Sequence, residues 1–205
     1  MISLKNMKII DVIFALIGGR IISFLVNDFL KGAGIQLGPY YYFISWLAFP
    51  FFTLFCLWAA YQIGRRFLFI FQAAKHVLVG AVVTVVDLKI FEILLWIVGL
   101  FTASGSLVIK GVSFIAATIL KYFGNKYWAF NKPEKENLSK EIIQFLFITL
   151  MGLVLDVASF YYLTEIMAPQ FELSHSSWIK ASVVLAAFTA ALWNFLGYKF
   201  LVFKK

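Results

Sequence analysis

Charged residues are scarce in this chain of 205 residues: only 14% are charged, and aspartate and glutamate together number ten. A soluble globular domain carries about 25% charged residues. The single cysteine, Cys56, excludes an intramolecular disulfide framework. The two histidines, His76 and His175, are too few and too far apart in sequence to predict a metal site. Neither a disulfide-stapled domain nor a metal centre is therefore expected.

Apolar residues are abundant instead. They make up 62% of the chain, aromatic residues make up 19%, and the mean hydropathy is +0.90. An interior of this size cannot bury that much apolar surface. Since one transmembrane helix needs ~20 residues, the sequence predicts an all-α integral membrane protein with about six transmembrane helices. The predicted spans are 9–30, 40–63, 77–98, 107–130, 142–167 and 178–203.

Lysine and arginine residues predict the orientation of these spans, because cytoplasmic loops of membrane proteins are enriched in them. With a cytoplasmic amino end, the residues on the cytoplasmic side are Lys5, Lys8, Arg65, Arg66, Lys75, Lys126, Lys132, Lys135, Lys140, Lys199, Lys204 and Lys205, and those outside are Lys31, Lys110 and Lys180. Both termini are therefore expected in the cytoplasm. The net charge of +8 does not predict nucleic-acid binding, because these residues lie between apolar runs.

Two helical hairpins in the second part of the chain resemble each other. The matching first-helix segments are "VVDLKIF" at 85–91 and "VLDVASF" at 154–160, and the matching second-helix segments are "KYFGNKYWAF" at 121–130 and "NFLGYKFLVF" at 194–203. The alignment matches three pairs of residues: Asp87 with Asp156, Gly124 with Gly197, and Lys126 with Lys199. A hairpin has two spans, so both copies enter the membrane the same way round, as parallel repeats do.

These repeats define the expected domains. A polar connection at 131–141 separates repeat 75–132 from repeat 140–205, and residues 1–74 form an extra hairpin at the amino end. The segment "GRRFLF" at 64–69 resembles the repeated ending, so this extension is either a degenerate third copy, an element that docks a partner, or a lid on the cavity.

Ionisable and amide side chains inside the spans are the candidate site, because a charge in the membrane costs at least ~2.5 kcal/mol and needs a partner or a wet cavity. Counted from the cytoplasmic end, Asp87 and Lys121 lie at similar depth, so we expect them to pair. In the second repeat, Asp156 would face Asn194. The charges either hold helices together or line a cavity for an anion; the candidate residues of that cavity are Arg20, Asp87, Lys121, Asn125, Lys126, Asp156, Asn194 and Lys199.

The repeated ending also has two interpretations. Aromatic rings and lysines are typical of the headgroup region of a membrane, where they anchor a helix end. That interpretation leaves the matched glycines unexplained. A glycine that faces a neighbouring helix allows close packing, so Gly124 and Gly197 are predicted to lie at a helix–helix or helix–lipid contact.

The chain resembles the GtrA-like family of small bacterial membrane proteins over about residues 75–205. The resemblance rests on the interval from Gly80 to Asp87, on "NKYWAF" and on the closing "YKFLVF". It implies a multi-pass protein of the bacterial inner membrane that takes part in cell-envelope polysaccharide synthesis. The sequence itself contains no persuasive enzyme signature, so neither a catalytic role nor a cofactor is expected. Residues 1–74 lie outside the family pattern. Lys121 stands where the second copy has Asn194, which suggests a lipid headgroup different from that of the commoner family members.

Three functions are considered. The residues alone predict only a cavity that can hold an anion; the resemblance implies the first function, the flipping of a polyprenyl-phosphate-linked monosaccharide, with the phosphate among the lysines and the sugar between the two hairpins. The alternative is a membrane anchor that recruits a polyprenyl-phosphate glycosyltransferase without transport. The third is a small-cation exporter. The expected partners are the lipid-linked sugar, the bilayer and a glycosyltransferase; a homo-oligomer is left open, and nucleic acid is not expected.

Overall fold

The computed structural model describes residues 7–32, 38–98, 103–133, 137–167 and 175–204. Within these ranges every regular element is helical, which confirms the all-α class. The α-helices are α1 (Ile9–Gly32), α2 (Pro39–Gly64), α3 (Leu68–Val98), α4 (Ala103–Phe123), α5 (Leu138–Tyr161) and α6 (His175–Gly197), and the π-helical segments are π1 (Gly124–Ala129), π2 (Tyr162–Ile166) and π3 (Tyr198–Val202). Of the lysines that predict orientation, Lys5, Lys135 and Lys205 lie outside the described residues.

Four segments of the described chain are long and apolar enough to cross a membrane: Ile9–Asn27, Pro39–Gly64, Leu138–Ile166 and Ala181–Val202. The helices α3 and α4 are not among them. Three charged residues of α3, Asp87, Lys89 and Glu92, lie within six positions of one another, and α4 carries Lys110 and Lys121. The structure therefore supports a membrane protein with several apolar helices, four of which qualify as spans by length and composition.

The first helix of the first hairpin is longer than predicted. It begins at Leu68 rather than at residue 77, directly after a turn at residues 65–67. A Cβ atom on Gly64 would lie 2.7 Å from Cβ of Phe71, so glycine allows α2 to turn tightly into α3. The end of α2 carries no π-helical segment, in contrast to the endings of the two hairpins.

The chain divides into two compact units, Met1–Asn131 and Lys132–Lys205. The first unit joins the hairpin α1–α2 to the first repeat hairpin, which consists of α3, α4 and π1. The second unit is the second repeat hairpin, which consists of α5, π2, α6 and π3. The core of the first unit draws on α1, α2, α3 and π1 and includes Ala15, Leu57, Tyr61, Phe71, Leu78, Val79 and Trp128.

A buried ionic cluster attaches α1 to the first repeat hairpin. Asp11 is 2% exposed, and its Oδ1 lies 2.6 Å from Nζ of Lys75 in α3. The same oxygen accepts a hydrogen bond of 2.8 Å from Nε1 of Trp128 in π1. The Trp128 ring also stacks on Phe14, with ring centroids 4.7 Å apart. We call Asp11, Lys75 and Trp128 the Asp11 cluster; it connects three elements of the first unit through one carboxylate.

Replacing Asp11 by alanine should destabilise the protein strongly. Removal of one partner of a buried ion pair typically costs ~3–5 kcal/mol, because the other charge stays buried without compensation. We expect a large fall in the Tm of the detergent-purified Asp11→Ala variant. The matched control is Glu92→Gln, which breaks the exposed pair between Glu92 and Lys89 on α3 and should change stability by less than about 1 kcal/mol.

A double variant separates loss of the pair from loss of packing. Combining Asp11→Leu with Lys75→Met removes both charges and keeps apolar volume, so its Tm should lie well above that of Asp11→Ala. Equal Tm losses for Asp11→Ala and Glu92→Gln would contradict a stabilising role for the Asp11 cluster.

Candidate functional site

The repeated sequence ending forms a π-helical segment in both hairpins. In the first hairpin it is π1 (Gly124–Ala129), and the N–H of Phe130 donates to the carbonyl oxygen of Asn125 at 2.9 Å. In the second it is π3 (Tyr198–Val202), and the N–H of Phe203 donates to the carbonyl oxygen of Tyr198 at 2.7 Å. Single π-helical turns inside α-helices occur frequently at functional sites. The duplicated sequence therefore encodes a duplicated irregularity of the backbone.

The matched glycines bring both endings close to the first helix of their own hairpin, at equivalent positions of the two hairpins. A Cβ atom on Gly124 would lie 2.9 Å from Cγ1 of Val79. A Cβ atom on Gly197 would lie 2.6 Å from Cγ2 of Ile148. Val79 and Ile148 occupy matching positions when the two hairpins are aligned on their aspartates. Each ending thus packs closely on its partner helix at one equivalent contact.

The residue after each glycine is fully buried but differs in chemistry. Oδ1 of Asn125 lies 2.7 Å from Nδ1 of His76, and Nδ2 of Asn125 donates to the carbonyl oxygen of Lys121. Since Nδ2 is the donor to that carbonyl, Oδ1 accepts, and Nδ1 of His76 carries the proton. At the matching positions, Tyr198 stacks on Phe145 with centroids 4.7 Å apart. The first hairpin is therefore polar at a place where the second is aromatic.

The matched lysines differ in exposure. Lys126 is fully buried, and its Nζ lies 3.2 Å from the hydroxyl of Tyr122. Lys199 is partly exposed, and its Nζ lies 5.6 Å from the ring centroids of Phe195 and Phe200. The two 5.6 Å distances from Nζ of Lys199 to these rings are within the ~6 Å range of cation–π attraction. Of the two lysines, Lys199 is the one that a ligand in the surroundings can reach.

The predicted pairing of Asp87 with Lys121 is wrong. The carboxylate of Asp87 pairs with Lys110, and it accepts a hydrogen bond of 2.7 Å from the hydroxyl of Ser113. The prediction measured depth from a helix start at residue 77, whereas α3 begins at Leu68. Counted from Leu68, Asp87 lies nine residues further from the start of its helix than predicted. It is therefore beyond the level of Lys121, and Lys110 and Ser113 are the residues of the antiparallel α4 that reach it.

In the second hairpin, the side chain of Asn194 packs against Gly152, one turn of α5 from Asp156, whereas the sequence predicted that it would face Asp156. A Cβ atom on Gly152 would lie 2.7 Å from Nδ2 of Asn194, so the amide occupies the space that a side chain would fill. Oδ1 of Asn194 is buried, and no donor reaches it in the described parts of the chain. Gly152 and Asp156 lie on one face of α5, a turn apart. Within the described ranges no hydrogen bond or ion pair involves Asp156.

Arg20 belongs to the hairpin α1–α2. Its guanidinium carbon lies 3.1 Å above the ring centroid of Trp46, and its NH1 group donates to the carbonyl oxygen of Trp46 at 2.5 Å. Both contacts join α1 to α2, so they give Arg20 a structural partner. Charge and depth alone predicted an anion site at Arg20, because the local sequence does not show that Trp46 of α2 lies beside it.

Several residues of these polar clusters were missed by sequence analysis. Asp11, Trp128 and Ser113 were not singled out, and Lys75 and Lys110 were used only for orientation. One available signal was the spacing of Lys110 and Ser113, which places both on one face of α4. Among the described residues, no group of three or more His, Cys, Asp or Glu side chains could hold a metal ion.

The close contact at Gly197 predicts the effect of adding a methyl group. Gly197→Ala should lower the free energy of unfolding by ~1–3 kcal/mol, because Ile148 is β-branched and buried and cannot move aside cheaply. The matched control is Gly111→Ala in α4, where no atom lies within 4 Å and alanine should stabilise the helix by roughly 0.5–1 kcal/mol. Thermal unfolding in detergent measures both variants, and equal Tm values would contradict the close approach.

Comparison with known families completes the description of the site. Residues 75–203, well over half of the chain, match the family described as GtrA/DPMS, transmembrane domain. No curated protein and no solved structure matches the chain. The family match spans both repeat hairpins and both π-helical endings, and it associates the chain with processes that involve polyprenyl-phosphate sugars. GtrA proteins are generally non-catalytic membrane proteins. The chain belongs to the GtrA/DPMS transmembrane domain family.

Proposed function

We propose that the protein translocates a polyprenyl-phosphate-linked monosaccharide across the bacterial inner membrane, for use in the glycosylation of cell-envelope polysaccharide. The observation that carries this proposal is a lysine at the same position of two π-helical endings in a GtrA/DPMS domain, with acceptor side chains further along the second hairpin. A lipid-linked sugar phosphate needs a cation for its phosphate and acceptors for its hydroxyl groups.

The phosphate is assigned to Lys199. A phosphodiester carries one negative charge, so one or two bases offset it, and hydrogen bonds between charged groups are about twice as strong as neutral ones. Lys199 is partly exposed at the π3 ending, whereas the equivalent Lys126 is fully buried beside Tyr122. We assign Lys126, together with Lys121 and Asn125, to supporting the first ending, and the phosphate contact to the second.

The polyprenyl tail is assigned to the lipid beside the protein. The outer faces of the second hairpin are apolar and exposed, as the side chains of Phe147, Leu150, Val154 and Val157 on α5 and of Val184 on α6 illustrate. A tail that remains in lipid needs no pocket of its own. The protein then has to stabilise only the phosphate and the sugar during the crossing, with no bond made or broken.

Reconstituted liposomes test this proposal. A polyprenyl-phosphate-hexose is incorporated, and its accessibility from outside is followed over time with protein, without protein and with variants. We expect rapid exchange that depends on the protein. Lys199→Gln should slow it by about tenfold or more, since hydrogen bonds to charged groups are worth ~1.5–3 kcal/mol. The matched control, Lys204→Gln, removes an exposed lysine from the same end and should exchange like wild type.

Exchange no faster than in empty liposomes would overturn the transport proposal. If a polyprenyl-phosphate glycosyltransferase then co-purifies with the protein from native membranes, the result supports a membrane anchor that recruits this enzyme. Protein-dependent flux of a small cation, without lipid exchange, would support an exporter.

A further inference from the structure

We propose that the second hairpin recognises the hydroxyl groups of the sugar through two acceptors, the Asp156 carboxylate and the amide oxygen of Asn194, whereas Asp87 of the first hairpin only holds helices together. This inference rests on the proposed function and assigns the sugar to particular atoms, which the sugar reaches after the phosphate has left Lys199. Gly197 packs on Ile148, so Asp156 lies about ten residues, or ~15 Å, along the hairpin from the level of Lys199. It separates two aspartates that the sequence presents as equivalent.

Asp87 is fully engaged within its own hairpin. Its side chain is 18% exposed, pairs with Nζ of Lys110 and accepts a hydrogen bond from Ser113. Both donors come from α4, and the hydroxyl of Ser113 is itself fully buried. The charge of this carboxylate is already offset by a lysine and stabilised by a hydroxyl within its own hairpin, so Asp87 fits the structural interpretation of intramembrane charge.

The second hairpin carries no equivalent donors for its aspartate. Counting back from the matched glycines of the second helices, Lys110 corresponds to Val183 and Ser113 corresponds to Ala186. Both replacements are apolar, and in the described part of the chain no hydrogen bond or ion pair satisfies Asp156. The hairpin thus keeps the acid and lacks the groups that neutralise it, which for an ionisable residue in a membrane helix points to a ligand.

A second acceptor without a donor lies one turn away. Asn194 is 7% exposed, its Oδ1 has no donor among the described residues, and its amide fills the space over Gly152. Residues four apart on a helix have Cβ atoms about 5–6 Å apart, so Gly152 and Asp156 place the two acceptors along one side of α5. A buried acceptor left unpaired costs ~1–3 kcal/mol, which a ligand donor would recover.

Beyond Asp156, the groove between α5 and α6 opens into a cleft of about 470 Å³. Ser159 lies one turn from Asp156 on the same helix face and lines the cleft, together with Tyr162, Phe188 and Thr189. The cleft is shallow and open to the surroundings rather than an enclosed pocket. The cleft combines hydroxyl groups with aromatic rings and begins one turn beyond Asp156; Asp156 and Asn194 themselves do not line it.

The chemistry of this groove fits a neutral ligand with many hydroxyl groups. Two acceptors and the three lining hydroxyl groups of Ser159, Tyr162 and Thr189 offer hydrogen bonds to several sugar hydroxyls, and the carboxylate makes the stronger, charge-assisted ones. A Ca²⁺ or Mg²⁺ ion takes about six or more oxygen ligands, and it would have to take most of them from water here, because the groove offers one carboxylate and one amide oxygen. A site that hydrogen-bonds hydroxyls also discriminates strongly against a ligand that lacks them.

A binding comparison with two lipids tests the assignment. The affinities of the detergent-purified protein for a polyprenyl-phosphate-hexose and for the sugar-free polyprenyl phosphate are measured, with the fluorescence of Trp193, beside Asn194, as one reporter. Wild type should prefer the hexose lipid. Asp156→Asn and Asn194→Leu should each reduce that preference about tenfold or more, while affinity for the sugar-free lipid stays within about twofold.

Asp87→Asn is the matched control, because it removes the same charge from the equivalent position of the other hairpin. It should lower the Tm and keep the preference for the hexose lipid. Should this variant fail to fold, Ser113→Ala serves instead, since it removes one hydrogen bond to Asp87 and keeps the ion pair with Lys110.

The outcomes separate this inference from the proposed function. If wild type exchanges the lipid in liposomes but Asp156→Asn keeps the hexose preference, the sugar assignment is overturned and transport stands. If the preference is lost in Asp156→Asn while wild type shows no exchange, the sugar site stands and transport is overturned. Loss of preference in Asp87→Asn alone, or binding of a small cation that Asp156→Asn abolishes, would overturn the assignment of the sugar.

Discussion

A charge inside an apolar layer has to be paired or hydrogen-bonded, because the hydrocarbon supplies no water to solvate it. This constraint organises the first unit. Asp11 satisfies Lys75 and Trp128, and through them α1 is attached to α3 and π1. Asp87 likewise joins α3 to α4. In the described part of the second unit the same constraint is left open at one aspartate and one amide, and the proposed sugar site rests on that contrast between two similar hairpins.

The two hairpins have the same backbone conformation at their endings and differ in their side chains. Each ends in a π-helical segment, and a glycine brings that ending close to the first helix of the hairpin. On that common frame the first hairpin buries His76 with Asn125, and the second buries Phe145 with Tyr198. Duplication followed by divergence of this kind allows one hairpin to become mainly structural while the other keeps polar groups available for a substrate.

The extra hairpin α1–α2 belongs to the same compact unit as the first repeat hairpin. Its aspartate reaches the tryptophan of the "NKYWAF" segment, where the second hairpin has an exposed leucine, Leu201. Residues outside the family match therefore contribute to the core around one π-helical ending. This asymmetry explains how a chain built from a repeat acquires two unequal halves.

The sequence by itself determined the helical membrane class, the two hairpins, and the match of Gly124 with Gly197 and of Lys126 with Lys199, because run length, composition and repetition are local properties of a chain. The tertiary structure alone decided which groups meet. Asp11 and Trp128 are 117 positions apart, and no local pattern links them. Lys110, rather than Lys121, reaches Asp87 because the level at which two antiparallel helices face each other depends on where α3 begins. This relative level of the two helices decides which charges pair inside a membrane, and the spacing of charges along one helix does not reveal it.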